Sequence, residues 1–366
     1  MKVFGRTNSR TSNYTSWYSP ASMRIERLAV MVVALLGAVS SVWSGPASAQ
    51  ARTQLVVHTT LEVENIAEFK LAFEAEHPDI EILWSRDSTG VLTARIVAEG
   101  ATQQADAIWG LAVTSISKFK ALGLLMPYAP ANLSAIKPQF RDKSDPPSWV
   151  GMEAWVAAVC FNTIEAAKLG LKRPTSWFDL LDPSLKGRVL LPNPASSGTG
   201  YFHVSGWIQM FGEAKAWEFM DKLHENIALY QHSGTKPCRD AAAGEFAVGI
   251  SYELAGASLK TKGAPIEVLL MKEGGGWDMD TAAILKGTKK LEAAKRLMDF
   301  ATSRKANEIY AKFVSQVAMD GISVPIPNYP AGVAASMISN DLDWASENRD
   351  RIIKDWQRRY EGKSAK

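Results

Sequence analysis

The sequence predicts an α/β protein of two lobes, each a mainly parallel sheet flanked by helices. Three observations predict it. Short β-rich runs alternate with amphipathic helical stretches along most of the 366 residues. A Pro-rich stretch from Pro127 to Pro147 separates two such series. The chain is also long enough to build two hydrophobic cores rather than one.

The elements follow in order. At the N-terminus, Arg24 and Arg27 precede an uncharged apolar run from Leu28 to Val42, and small residues close with Ala47-Ser48-Ala49 before Gln50. A basic region, a short apolar core and an A-x-A site read as a secretory signal peptide over residues 1–49. The run is shorter than the roughly 20 apolar residues of a spanning helix. The polar stretch before Arg24 is long for a leader, which points to Met23 as the start. Cleavage after Ala49 removes five basic residues and one acid. Lys plus Arg then falls from 41 to 36, Asp plus Glu from 38 to 37, and the net charge from +3 to near −1. Such balance gives no electrostatic case for binding nucleic acid or acidic membranes.

Leu55-Val56-Val57 is a buried-strand candidate. Ile66, Phe69 and Phe73 mark a helix that stops at His77-Pro78. Ile80, Ile82 and Trp84 alternate as a second strand, and Val91 to Glu99 form a helix closed by Gly100. Ala107-Ile108-Trp109 is a third strand, followed by a helix through Ile116, Phe119 and Leu122. Trp155 to Phe161 is the first crossing between lobes. Val189-Leu190-Leu191 opens the second series, with a glycine-rich turn and a helix carrying Trp207, Ile208 and Phe211. A further helix (Ala216, Trp217, Met220, Leu223) and the strand Ala247 to Ser251 follow. Ile266 to Leu270 and Thr281 to Leu285 are expected to return the chain to the first lobe. The C-terminal third is helical, with Leu342, Ile352, Ile353 and Trp356 on one face and its charges solvated. The expected division is leader 1–49, first part of lobe 1 50–157, lobe 2 158–276, and return to lobe 1 with the C-terminal helices 277–366.

Three strand-to-helix junctions share one chemistry: His58-Thr59-Thr60, Asp87-Ser88-Thr89-Gly90, and Pro194-Ala195-Ser196-Ser197-Gly198-Thr199-Gly200-Tyr201. Each sets hydroxyls and free N–H groups at a helix N-terminus, where the dipole favours an anion. In open α/β sheets, ligands bind at this carboxyl edge of the strands. The same residue types are also ordinary N-caps. The Ser-Ser-Gly-Thr-Gly run lacks the lysine of a P-loop and the spacing of a dinucleotide fingerprint, so no nucleotide cofactor is expected. Tyr252-Glu253 at a strand end and Trp277-Asp278 at a strand start could seat an ammonium group by charge and cation–π contact, with Trp109 covering an alkyl link. Solvated loop acids and core tryptophans are the alternative.

Catalytic motifs are absent from the sequence: there is no G-x-S-x-G and no H-E-x-x-H. His58, His77, His203, His224 and His232 show no metal-ligand spacing. The two cysteines, Cys160 and Cys238, are either one disulfide of an exported protein or two buried thiols. A Cys160 nucleophile paired with a distant acid is the remaining enzymatic reading.

Several runs carry a resemblance: Arg86 to Gly90, Ile108-Trp109-Gly110-Leu111, Asp145-Pro146-Pro147, Val159-Cys160-Phe161-Asn162, Pro192 to Gly200, His232-Ser233-Gly234, Lys236-Pro237-Cys238 and Gly276-Trp277-Asp278-Met279. Over about residues 53–362, the chain resembles extracellular solute-binding proteins of the iron, polyamine and phosphonate cluster. Within that cluster it is most similar to 2-aminoethylphosphonate-binding components of ABC importers. The resemblance implies a type II periplasmic-binding fold whose lobes close on ligand, a monomer in the periplasm, and delivery to a membrane permease. Thr60, Ser88, Thr89, Ser197 and Thr199 would hold the phosphonate, with Thr59, Ser196 and Gly198 beside them. Glu253 and Asp278 would hold the amine, and Trp109 and Tyr252 would pack the linker. Ferric-binding members use adjacent tyrosines, and no Tyr-Tyr pair occurs here. Another anion, a ferric complex or a polyamine are the alternative ligands.

Overall fold

The computed structural model describes residues 51–366, so the leader expected over 1–49 lies outside the described residues. β1 (Thr53–Thr59), α1 (Val63–Glu76), β2 (Ile80–Arg86), α2 (Thr89–Glu99), β3 (Ala107–Ala112), α3 (Val113–Ala121) and β4 (Leu125–Met126) come first. A run of short turns then leads to β5 (Val150–Asn162) and α4 (Thr163–Leu169). β6 (Val189–Pro192), α5 (Gly198–Phe211), α6 (Glu213–Asn226), β7 (Ile227–Gln231), α7 (Lys236–Ala242), β8 (Val248–Tyr252), α8 (Glu253–Thr261) and β9 (Ile266–Leu269) follow. β10 (Trp277–Leu285), α9 (Leu291–Ala301), α10 (Arg304–Tyr310), β11 (Gln316–Val317), α11 (Val333–Ser336) and α12 (Leu342–Tyr360) complete the chain.

The apolar spacing accounts for these elements. Ile66, Phe69 and Phe73 are buried on α1, and the His77 N–H closes the helix on the Phe73 carbonyl. Gly100 ends α2 at φ 51°, a conformation that glycine adopts without steric cost. Leu122 departs from expectation: it lies one residue past α3 and is exposed, so the buried face of that helix is Val113, Ile116 and Phe119.

Strand order is β2-β1-β3-β10-β5-β8-β6-β7. β1 runs parallel to β2 and β3, and β6 runs parallel to β7 and β8. β5 and β10 run antiparallel between these two parallel sets. β5 changes partner midway: Val150 to Val156 pair with β10, and Ala157 to Phe161 pair with β8. Two hydrophobic cores flank this crossing. One gathers Phe69, Ile108, Trp109, Ile284 and Leu297; the other gathers Val159, Trp177, Leu191, Trp207 and Ile250. Each fully buried aromatic or aliphatic side chain contributes about 1.5–3 kcal/mol relative to exposure.

One expectation is corrected. Ile266–Leu269 (β9) does not return the chain to the first core, because it pairs with Val159 to Asn162, the same stretch of β5 that β8 uses. The return is made by β10, which starts at Trp277. On α12, Leu342 packs on the first core, while Ile352, Trp356 and Tyr360 pack into the second. Arg351 and Arg359 pair outward with Glu213 and Asp221, but Arg349 departs from the expected solvated face: it is buried, 4.3 Å from the centre of the Tyr201 ring.

Candidate functional site

The carboxyl ends of β1, β2 and β8 and the turn after β6 open on a shared cavity of about 350 Å³. Its lining comes from both cores' elements. Ser88 and Thr89 start α2, Ser197, Gly198 and Thr199 start α5, and Ser233, Gly234 and Thr235 precede α7. The first-turn N–H groups of a helix have no intrahelical partner, so α2 and α5 present donors there. Ser88 is the N-cap of α2 yet makes no capping bond, leaving its hydroxyl for another partner. Ser197 caps α5 by accepting from the Gly200 N–H at 3.3 Å. Arg239 donates to the Ser233 hydroxyl at 3.3 Å and forms no ion pair among the described residues.

The approach of these turns is close enough to require glycine. The Gly90 N–H donates to the Ser196 carbonyl at 2.9 Å, joining the turn after β2 to the turn after β6. A Cβ on Gly90 would stand 2.0 Å from the Ala195 carbonyl oxygen, and one on Gly198 2.7 Å from the Thr89 hydroxyl. No side chain fits at Gly90 without moving backbone.

The lining is acidic as well: Glu62, Glu64, Glu153 and Asp280 belong to it, with Trp155, Tyr252 and Arg86. The Arg86 guanidinium is already held by the Leu61 carbonyl at 2.6 Å and the Glu62 carboxylate at 2.9 Å. Glu153 on β5 and Asp280 on β10 are direct register partners. Both are buried, at 3% and 7% exposure, and Glu153 Oε2 and Asp280 Oδ1 have no hydrogen-bond partner. Burial pushes both carboxyls well above the usual range, and the charge of Asp280 adds to this at Glu153.

Of the residues expected from the sequence, Thr60, Ser88, Thr89, Ser197, Gly198, Thr199 and Tyr252 line the cavity. Five stand elsewhere. The Thr59 hydroxyl is buried and accepts from the Leu61 N–H at 3.2 Å. Ser196 contributes its carbonyl to Gly90, while its hydroxyl faces the His232 carbonyl at 3.3 Å. Trp109 lies in the first core, donating to the Tyr310 hydroxyl at 2.9 Å and stacking on Phe69 at 5.5 Å. Glu253 accepts from the Val156 N–H at 2.8 Å and the Tyr329 hydroxyl at 2.7 Å. Asp278 caps α3, accepting from the Val113 N–H at 3.1 Å and the Thr114 hydroxyl at 2.6 Å. Both acids hold structure together, so neither has an oxygen turned to the cavity.

Sequence reasoning missed Glu153, Asp280 and Arg239. For Glu153 a signal existed: it is the one acid inside the otherwise apolar run Val150 to Phe161, where a charge is costly unless it has a use. Cys160 and Cys238 are joined as a disulfide, with Cα atoms 5.3 Å apart and both side chains buried. This corrects the reading of Cys160 as a nucleophile, because its sulfur is bonded and inaccessible. Among the described residues no cluster of three or more His, Cys, Asp or Glu could hold a metal.

Comparison with known proteins agrees with this architecture. Residues 105–337 match the family described as bacterial extracellular solute-binding protein. An uncharacterised protein of Haemophilus influenzae is 30% identical over 341 residues, covering 91% of this chain and 98% of its own. The periplasmic binding protein AfuA from Actinobacillus pleuropneumoniae, solved with exogenous fructose-6-phosphate bound, is 31% identical. It superposes with a TM-score of 0.79 over 85% of this chain and 99% of that one. The periplasmic binding protein P5PA gives 30% identity and a TM-score of 0.77, over 84% and 100% of the two chains. The mixed sheet with flanking helices is thus the type II periplasmic-binding-protein fold, and AfuA and P5PA are both periplasmic binding proteins. The chain belongs to the bacterial extracellular solute-binding protein family.

Proposed function

We propose that this protein is the ligand-capturing component of an ABC importer in the periplasm, and that its ligand is 2-aminoethylphosphonate or a close analogue. The observation that carries this reading is the polarity of the cavity. Its lining has two sets of groups: uncommitted hydroxyls, helix N-termini and Arg239 as the first, and unpaired buried carboxylates as the second. A tetrahedral oxyanion is matched by the first set through charge-assisted hydrogen bonds from neutral donors and one guanidinium. A small ammonium is matched by the second. Trp155 and Tyr252 supply the apolar surface that two methylenes need between them, in the place first expected of Trp109. The captured molecule would be handed to a membrane permease by a monomer.

A second reading has its own support. AfuA, at 31% identity, is solved with fructose-6-phosphate bound, and a sugar phosphate would use the same oxyanion-matching set while donating hydroxyls to the acids. Calorimetric titration of ligand-free protein with 2-aminoethylphosphonate, ethylphosphonate, inorganic phosphate and fructose 6-phosphate separates the two. Tight one-to-one binding of 2-aminoethylphosphonate alone is the expected result. Tighter binding of fructose 6-phosphate would replace the ligand, and silence with all four would remove the organophosphorus assignment. Replacing Ser88 or Thr199 with Ala is expected to weaken binding by about 1.5–3 kcal/mol, tenfold or more, without unfolding the protein.

A further inference from the structure

Glu153 and Asp280 differ from every other acid lining the cavity in being both buried and unpartnered. They face each other across the β5–β10 ladder, each with one oxygen that no protein donor reaches. The groups around them are acids and neutral phenols. From β8 and α8 come Tyr252 and Glu253, from the same strand β10 comes Asp278, and from α10 comes Tyr310. Further along the lining stand Glu62, the N-cap of α1, and Glu64 in its first turn. Of the two cations in the lining, Arg86 is engaged by Glu62 and the Leu61 carbonyl, and Arg239 donates to the Ser233 hydroxyl. Two adjacent carboxylates in low dielectric cannot both ionise without a cation between them.

We propose that the Glu153–Asp280 pair is the subsite for the ligand's alkylammonium end, and that the pair carries one shared proton which leaves as the ammonium arrives. The inference rests on the organophosphorus reading above and adds the mechanism of its cationic end. In the step, a carboxyl O–H bond breaks and its proton passes to solvent. The ammonium N–H groups then donate to the two freed oxygens, so the lining's charge changes by one while the complex gains a cation. Burial and mutual repulsion raise the affinity of the pair for protons above the ordinary carboxyl range. Capture of an amine-bearing ligand is therefore linked to pH: affinity rises with pH above the ordinary carboxyl range, because fewer protons must be displaced.

The test uses the whole mature protein. Titrating 2-aminoethylphosphonate in buffers of different ionisation enthalpy counts the protons released on binding. Wild-type protein should release about one proton more than the Glu153→Gln variant with the same ligand, since the phosphonate's own titration cancels in the difference. Glu153→Gln should also lose at least tenfold in affinity for 2-aminoethylphosphonate and leave ethylphosphonate unchanged. Should that variant fail to fold, Asp280→Asn is read the same way. The wild-type preference for 2-aminoethylphosphonate over ethylphosphonate, expected to exceed tenfold, needs no variant. Equal proton counts, or equal wild-type affinity for the two phosphonates, would overturn the subsite and leave the organophosphorus reading intact. No binding of either phosphonate would overturn the subsite together with the phosphonate reading.

Discussion

Glu253 has two good hydrogen bonds and still an elevated proton affinity: burial pushes its carboxyl up to about 7, and that of Asp278 up to about 6. A carboxyl raised in the folded state binds its proton more tightly there than in the unfolded chain. Its stabilising contribution is complete below the unfolded value near 4 and is lost as pH rises through the folded value. For Glu253 the loss between pH 4 and 8 is on the order of 2–3 kcal/mol. Glu253→Gln should therefore lose less stability than wild type between pH 5 and 8, as urea unfolding at the two pH values would measure. A parallel decline in both proteins would show that Glu253 does not titrate in that window. At this scale the hydroxyls were legible, because Ser and Thr in a strand-to-helix turn have few other uses. The acids were not. Glu253 and Asp278 sit at strand ends, where a local reading puts ligand contacts. Glu153 and Asp280 meet only through the register of two strands more than a hundred residues apart in sequence.

Among the elements, those with long apolar periodicity were read correctly, α1, β2, α5 and α6 among them. β7, α7 and α8 went unread. Five residues of β7 carry too short a pattern, and α7 begins with Lys236-Pro237 and lasts only seven residues. α8 starts at the very residue taken as a strand end. The direction of β9 depends on which half of β5 it meets, and nothing in Ile266–Leu269 encodes that. The disulfide fastens α7, unread in the sequence, to β5, which was read, beside Ala241, Ala255 and Ile266. It closes a separation of 78 residues, for which the chain-entropy model gives about 4–5 kcal/mol. Reduction should lower unfolding stability by up to that amount, measured by urea denaturation with and without a phosphine reductant. Because Cys238 immediately precedes Arg239, ligand affinity should fall along with it. Unchanged affinity on reduction would mean that α7 holds its place without the bond.

For the molecule as a whole, two cores with a cavity between their strand ends were legible from the two series of alternating elements and the hydrophobic crossing near Trp155. The tightness of the contact across the cavity was not, since it depends on backbone meeting backbone at Gly90 and Ser196. Gly90→Ala tests that contact. Its added methyl would meet the Ala195 carbonyl oxygen at 2.0 Å, so the turn after β2 and the turn after β6 should stand further apart. Ligand affinity is expected to drop about tenfold or more, roughly 1.4 kcal/mol, with little change in unfolding temperature and a larger radius by X-ray scattering. An unaltered radius and affinity would show that the turns can shift to admit the methyl. The sheet order carries a consequence for biogenesis as well. β10 fits between β3 and β5, so the sheet that begins with the first strand to be synthesised has a gap until residue 285 has been made. β6, β7 and β8 with their helices need nothing from beyond β9 to pair. A nascent chain thus keeps its earliest strands with open edges while its middle section condenses, and the last piece inserted locks the oldest part in place.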